Sequence, residues 1–207
     1  MTEPFGGKLK PVTLAGQHAH LAPLSPDDLD ELIGAAEDGS LWQLWYTSVP
    51  EPSRMENEIG RRLALQQQGS MLPFTVREAA SKRIVGMTTY MNIDPANLRL
   101  EIGSTWYGQS VQRTALNTCA KLLLLEHAFD RLECIAVEFR THFFNRQSRI
   151  AIERLGAKLD GILRNHQVMK DGTLRDTCVY SIIRSEWPAV RANLRWLLNQ
   201  PREQELK

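Results

Sequence analysis

The chain has 207 residues, 43% of them hydrophobic, enough for one substantial core near the upper limit of what a single core supports. Its 25 basic and 24 acidic residues leave a formal charge of +1 with no basic run or Lys/Arg stripe, which argues against a dedicated nucleic-acid binder. Met1–Gly7 lacks the basic and apolar regions of a signal peptide, and the most apolar run, Leu122–Leu125, is far short of the roughly 20 residues a membrane span needs, so a cytoplasmic protein with no membrane partner is expected.

After a Gly/Pro-containing lead, residues 18–24 read as a short strand. Ser25-Pro26-Asp27-Asp28 then reads as a helix start: Ser25 caps, Pro26 takes the first helical position and the carboxylates complement the dipole. Leu29, Leu32, Ile33 and Ala36 keep helical spacing as far as Gly39, and a second helix follows Pro52-Ser53, carrying Ile59, Leu63 and Leu65 to Gly69. Between the two lies the aromatic cluster Leu41-Trp42-Gln43-Leu44-Trp45-Tyr46, which fits either core packing or the wall of an acceptor pocket.

From residue 74 the pattern changes to strands. Phe74–Glu78 and Arg83–Tyr90 form a hairpin around Ala80-Ser81-Lys82, and Leu98, Leu100 and Ile102 alternate with polar positions in a third strand, implying an antiparallel meander. Leu116–Phe129 is the strongest helix, capped by Asn117 or Thr118 and apolar over most of its surface. Cys134–Phe139 is a strand, Asn145 opens a helix that stops at Gly156, and strands near 157–164 and 176–184 flank the Asp171-Gly172 turn. Glu186–Gln200 is a C-terminal amphipathic helix, packed on the domain or used between subunits of a homodimer. The expected architecture is α/β (α+β): a mixed, mostly antiparallel central sheet flanked by helices, in one domain over 1–207 with its core at about 10–185 and an extra helix at 186–200.

Cys119, Cys134 and Cys178 are widely spaced with no Cys-x-x-Cys pair, so free thiols are expected. His18 and His20 lack carboxylate or thiol neighbours at ligand spacing, and no metal site is expected. Ile102–Thr118 reads as a strand running through a polar turn into a buried helix, with Arg113 near the helix start. Such a turn suits a phosphate or pyrophosphate, although a plain strand-to-helix connection has the same pattern.

Residues 83–184 resemble the GNAT acyltransferases, in particular the branch similar to ribosomal-protein N-terminal acetyltransferases (the Rim type). Three stretches carry the resemblance: Leu100-Glu101-Ile102-Gly103; Gln112-Arg113-Thr114-Ala115-Leu116-Asn117-Thr118 with Ala120-Lys121-Leu122; and Asn145-Arg146-Gln147-Ser148 with Leu155-Gly156-Ala157. The resemblance implies an enzyme that moves an acetyl group from acetyl-CoA, as co-substrate, to a primary amine in a ternary complex without a metal. It also implies that Gln112–Thr118 wrap the CoA pyrophosphate, with Ala115 and Asn117 where relatives place small residues. Further implied roles are oxyanion support from backbone at Thr105, Trp106 and Tyr107, a pantetheine contact at Asn145, and a proton from Ser148 to the leaving thiolate.

The acceptor's base has candidates in Glu101, His166 and, through water, Asp94. Trp42, Trp45, Tyr46 and Tyr90 are candidate acceptor contacts. Trp106 also fits a core aromatic, Asn145 a plain N-cap and His166 a structural histidine. The alternative to an enzyme is a non-catalytic acyl-CoA-binding or protein-interaction module, suggested by Ala115, Asn117 and the C-terminal helix.

Overall fold

Strands and helices alternate around one continuous sheet in the computed structural model, which describes residues 9–47 and 49–200; the reading of Met1–Gly7 lies outside them. The strands are β1 (Leu14–Ala15), β2 (Ala19–Pro23), β3 (Met71–Glu78), β4 (Ile84–Asp94), β5 (Arg99–Tyr107), β6 (Ala136–His142), β7 (Lys158–Val168) and β8 (Leu174–Ile183). Their spatial order is β1-β2-β3-β4-β5-β6-β8-β7. Every neighbouring pair is antiparallel except β5 and β6.

Among the described residues five α-helices cover the sheet: α1 (Leu29–Glu37), α2 (Met55–Gln68), α3 (Leu116–Glu126), α4 (Arg146–Arg154) and α5 (Trp187–Leu198). Local chemistry fixes their ends. The Ser25 hydroxyl accepts from the Asp27 N–H at 3.2 Å and the Asp28 carboxylate from the Ser25 N–H at 2.9 Å, closing a capping box ahead of α1. α2 stops at Gly69, whose φ of 82° belongs to the left-handed region that ends helices. The start of α3 differs from the expected cap at Asn117 or Thr118. The Thr114 hydroxyl accepts from the Leu116 N–H at 3.2 Å, and the helix opens one to two residues earlier. α3 then runs into a single π-helical turn over His127–Arg131.

The apolar residues form two clusters. The larger one joins Phe74, Tyr90, Leu100, Ile102, Phe139 and Tyr180 of the sheet to α3 and α5. A second cluster, with Leu32, Met55, Ile59, Met87 and Trp106, holds α1 and α2 on the sheet. α5 packs on the domain. Trp187 stacks on Phe129 at 5.2 Å between ring centres, its indole N–H donates to Asp130 at 2.9 Å, and Arg195 pairs with Glu126 at 2.7 Å. Cys119, Cys134 and Cys178 are buried free thiols. Among the described residues no helix is long and apolar enough to cross a membrane, and no cluster of three or more His, Cys, Asp or Glu could hold a metal ion.

Candidate active site

The parallel ladder between β5 and β6 is short: Arg99 faces Ala136, Leu100 faces Val137, Glu101 faces Glu138, and there the pairing ends. Beyond that point Ile102–Tyr107 and Phe139–His142 diverge, each strand keeping only its outer partner, β4 or β8. A bulge in β5 accompanies the divergence. Gly103 faces Thr89 and Trp106 faces Met87, so β5 uses one more residue than β4, and Ser104 takes up the excess with φ at 48°. The strands therefore form a fork whose inner edges carry backbone groups without strand partners. A cavity of about 450 Å³ occupies it, lined by both prongs, the start of α3, α4 and the connection between α1 and α2.

One wall is the N-terminal turn of α3. The first N–H groups of a helix have no intrahelical acceptor. Thr114 satisfies that of Leu116, while Asn117 and Thr118 line the cavity beside Gln112 and Arg113. Ala115 does not line the cavity, and its φ of −69° and ψ of −17° are helical, so no glycine-only conformation is required there. The positive φ in this loop falls on Arg113 instead, at 62°. Helix dipole, helix-start N–H groups and a guanidinium on this wall are together of the polarity that suits an anion.

The opposite wall is the start of α4. Asn145 caps it, its side-chain oxygen accepting from the Ser148 N–H at 3.0 Å; Asn145 and half-buried Ser148 both line the cavity. Thr105, Trp106 and Tyr107 line it from β5, and the Trp106 indole N–H and Tyr107 hydroxyl are buried without a partner among the described residues. Buried polar groups usually find partners, so these orphans suit a site that receives a ligand. Leu116 is buried against the core rather than the cavity.

Two buried cations brace the fork, and neither stood out in the sequence. Lys121 of α3 is buried, and its Nζ donates to Thr105 Oγ1 at 2.7 Å and Thr88 Oγ1 at 3.3 Å. Burial with no carboxylate partner pushes its pKa down to about 7. Arg62 of α2 donates to Glu58 at 2.7 Å, to Thr89 at 2.7 Å and to the carbonyl of bulged Ser104 at 3.5 Å. Burial lowers the Arg62 pKa, and the field of Glu58 opposes that shift.

The third wall contains aromatic and charged residues. β6 continues three residues past its expected end at Phe139, and alternation places Arg140 and His142 on the side away from Phe139. Tyr46 lines the cavity there; Trp45 is exposed and sits edge-on to His142 at 5.0 Å between ring centres; Trp42 lies outside the cavity. Tyr90 is fully buried and donates to the Leu124 carbonyl, which places it in the core. Glu101 also lies behind the cavity surface. It accepts from Asn92 at 2.6 Å and stands 3.6 Å from Arg140, with burial holding its pKa above the usual carboxyl range. His166 is exposed on β7, bonded to Thr177 at 3.1 Å and apart from the cavity, and Asp94 is bonded to Asn97 at the far end of β4.

His142 was missed because the strand appeared to end at Phe139. The signal was present: Phe139-Arg140-Thr141-His142 continues the alternation. Its Nδ1 accepts from the Phe144 N–H at 3.1 Å, and its Nε2 is buried without a partner. Burial first, and then the charge of Arg175, lower its pKa, while Asp176 opposes them.

A sheet forked around a cavity, with a helix N-terminus supplying an anion site at one end, defines the acyl-CoA N-acyltransferase class of fold. The family model for the acetyltransferase (GNAT) domain matches residues 19–158, and the chain belongs to that family. It is 30% identical over 104 residues to a Bacillus subtilis (strain 168) protein assigned as ribosomal N-acetyltransferase YdaF, a match covering 50% of this chain and 56% of that relative, about half the length of each. A GCN5-related N-acetyltransferase from Brucella melitensis superposes with a TM-score of 0.82 at 31% identity, covering 93% of this chain and 87% of the other. Mycobacterium smegmatis RimJ, solved with CoA-disulfide, shares the fold at a TM-score of 0.74 and 21% identity, over 91% of this chain and 93% of its own.

Proposed function

We propose that the protein transfers an acetyl group from acetyl-CoA to a primary amine, by direct attack of the amine within a ternary complex. The observation that carries this reading is the β5–β6 fork, whose cavity runs without interruption to the N-terminus of α3. The names of its relatives, a protein assigned as ribosomal N-acetyltransferase and a RimJ solved in complex with CoA-disulfide, point the same way.

Acetyl-CoA supplies a thioester, electrophilic at its carbonyl carbon and with a leaving thiol of pKa near 8.5. The N–H groups at Asn117 and Thr118, with Gln112 and Arg113, bind the pyrophosphate. Asn145 meets the pantetheine arm, and backbone at Thr105–Tyr107 stabilises negative charge on the carbonyl oxygen. The Ser148 hydroxyl donates the proton that the departing thiolate takes. Neither candidate base lines the cavity, Glu101 lying behind its surface and His166 exposed on β7, so the amine's proton leaves to water. The alternative of a non-catalytic module drew on Ala115, Asn117 and the C-terminal helix, and the ordinary helical backbone of Ala115, which needs no glycine, weakens it.

The test has two parts. Acetyl-CoA should raise the melting temperature, and free CoA should be released in an acceptor-dependent thiol assay across a panel of amines. Acetyl-CoA binding without turnover on any amine would favour the non-catalytic module; no binding would defeat both readings.

A further inference from the structure

The charged residues that line the cavity are all basic. Arg113, Lys121, Arg140, Arg154 and Arg175 line it, and no Asp or Glu does among the described residues. Arg113 belongs with the pyrophosphate end, but Arg140 and Arg175 lie elsewhere: on β6 and β8, beside His142 and the Trp45–Tyr46 pair. Their surroundings distinguish them. Arg140 is already matched, donating to Glu138 at 2.9 Å and standing 3.6 Å from Glu101. The third carboxylate in the area, Asp176, accepts from Arg164 at 2.6 Å and from the Asn165 N–H at 2.8 Å. Arg175 has no ion pair of its own among the described residues, although the charge of Glu101 acts on it; its hydrogen bond leaves from Nε to Thr177 at 3.0 Å, and its two Nη groups donate to no described residue.

His142 adds a second group of the same polarity. With its Nδ1 lone pair occupied by the Phe144 N–H, the neutral ring carries its proton on Nε2, the buried and unpartnered nitrogen. His142 lines the cavity, and in this tautomer its Nε2 is a donor, not an acceptor. A half-buried guanidinium beside a buried N–H donor, with no competing carboxylate on the cavity surface, matches a ligand oxyanion.

We propose that the amine acceptor carries a carboxylate close to its reacting nitrogen, held by the Arg175 guanidinium and the Nε2–H of His142. This rests on the transferase reading and narrows it: polyamines and aminoglycosides, which are polycations, meet a surface of the wrong sign, whereas a free amino acid or an N-terminal segment with an acidic side chain is matched. Arg175 and His142 act here as binding groups, outside the bond-making steps.

The experiment compares acceptors with and without a carboxylate at matched free-amine concentration: glycine with glycinamide, the C-terminally amidated dipeptides Ser-Asp with Ser-Asn, and spermidine as the polycation. The carboxylate member of each pair should show a kcat/KM at least tenfold higher, spermidine the lowest, and Arg175→Gln should bring each pair to within about threefold, with Arg175→Lys intermediate. Preference for the dipeptide pair alone would assign the carboxylate to a peptide side chain, and preference for glycine alone to an amino acid. Equal rates within pairs, spermidine as best acceptor, or an unchanged ratio in Arg175→Gln would overturn the proposal while leaving the transferase reading intact. If no amine turns over, binding decides: N-acetylglycine should bind the CoA-loaded protein at least tenfold more tightly than N-acetylglycinamide, and equal or absent binding overturns the proposal.

Discussion

Replacing Lys121 with Met should stabilise the protein at low pH and lose that advantage as pH rises. Burial lowers the Lys121 pKa from 10.5 to about 7, a change worth about 5 kcal/mol at 1.36 kcal/mol per tenfold in proton affinity. The sign follows from linkage: between those two values the unfolded chain binds more protons than the folded one, so wild-type stability climbs with pH. The penalty is nearly complete at about pH 6 and falls to about 2 kcal/mol at about pH 9. Against it stand the two hydrogen bonds to Thr105 and Thr88, worth about 1 kcal/mol each and lost in the variant. Lys121→Met should thus gain about 3 kcal/mol at about pH 6 and be close to neutral at about pH 9. Urea denaturation of both proteins at the two pH values measures this directly. A gap that stays constant would mean that Lys121 keeps its ordinary proton affinity and is not isolated as described.

Other expectations concern the fork and the chemistry. Arg62→Met should destabilise by about 3 kcal/mol, because it leaves Glu58 with Arg61 alone and releases the Ser104 bulge; denaturation measures the first effect and acetyl-CoA affinity the second. Gly86→Ala should be costly as well: a Cβ there would sit 2.1 Å from the Trp106 carbonyl, on backbone that cannot swing aside, so a loss of about 2 kcal/mol or more is expected in thermal melts. Ser148→Ala should lower kcat by about tenfold to a hundredfold with little change in the KM for acetyl-CoA, and unaltered kcat would remove Ser148 from the chemistry. Asn145→Ala should cost about 1 kcal/mol through the lost cap.

Much of the scaffold was legible because its signals are local. Ser25, Gly69 and Asn145 each set a helix end through contacts within three residues or through their own backbone angle, and the Asp171-Gly172 turn joins β7 to β8 as its sequence implies. Resemblance pointed to Gln112–Thr118, Asn145 and Ser148, and all of these but Ala115 and Leu116 line the cavity. The bracing cations were not legible. Arg62 meets its Thr89 partner across 27 residues and Lys121 meets Thr105 across 16, so each reads in isolation as an ordinary solvated helix charge. Only the placement of Lys121 between Ala120 and Leu122, inside the apolar run, hinted at burial. On the acceptor side, His166 was weighed by side-chain chemistry and an assumed neighbourhood, and the exposed β7 places it elsewhere. His142 entered through a strand extension that depends on pairing with β8, Thr141 against Cys178 and His142 against Thr177.

The vertex of the fork has a consequence for the depth of the cleft. Its last rung sets two carboxylates side by side, Glu101 against Glu138, each drawn away by Arg140, with Asn92 and Arg99 assisting. Zipping or unzipping one further pair would move the vertex by about 3.3 Å, so the point at which the two strands part is tied to a charge balance at one rung of the ladder.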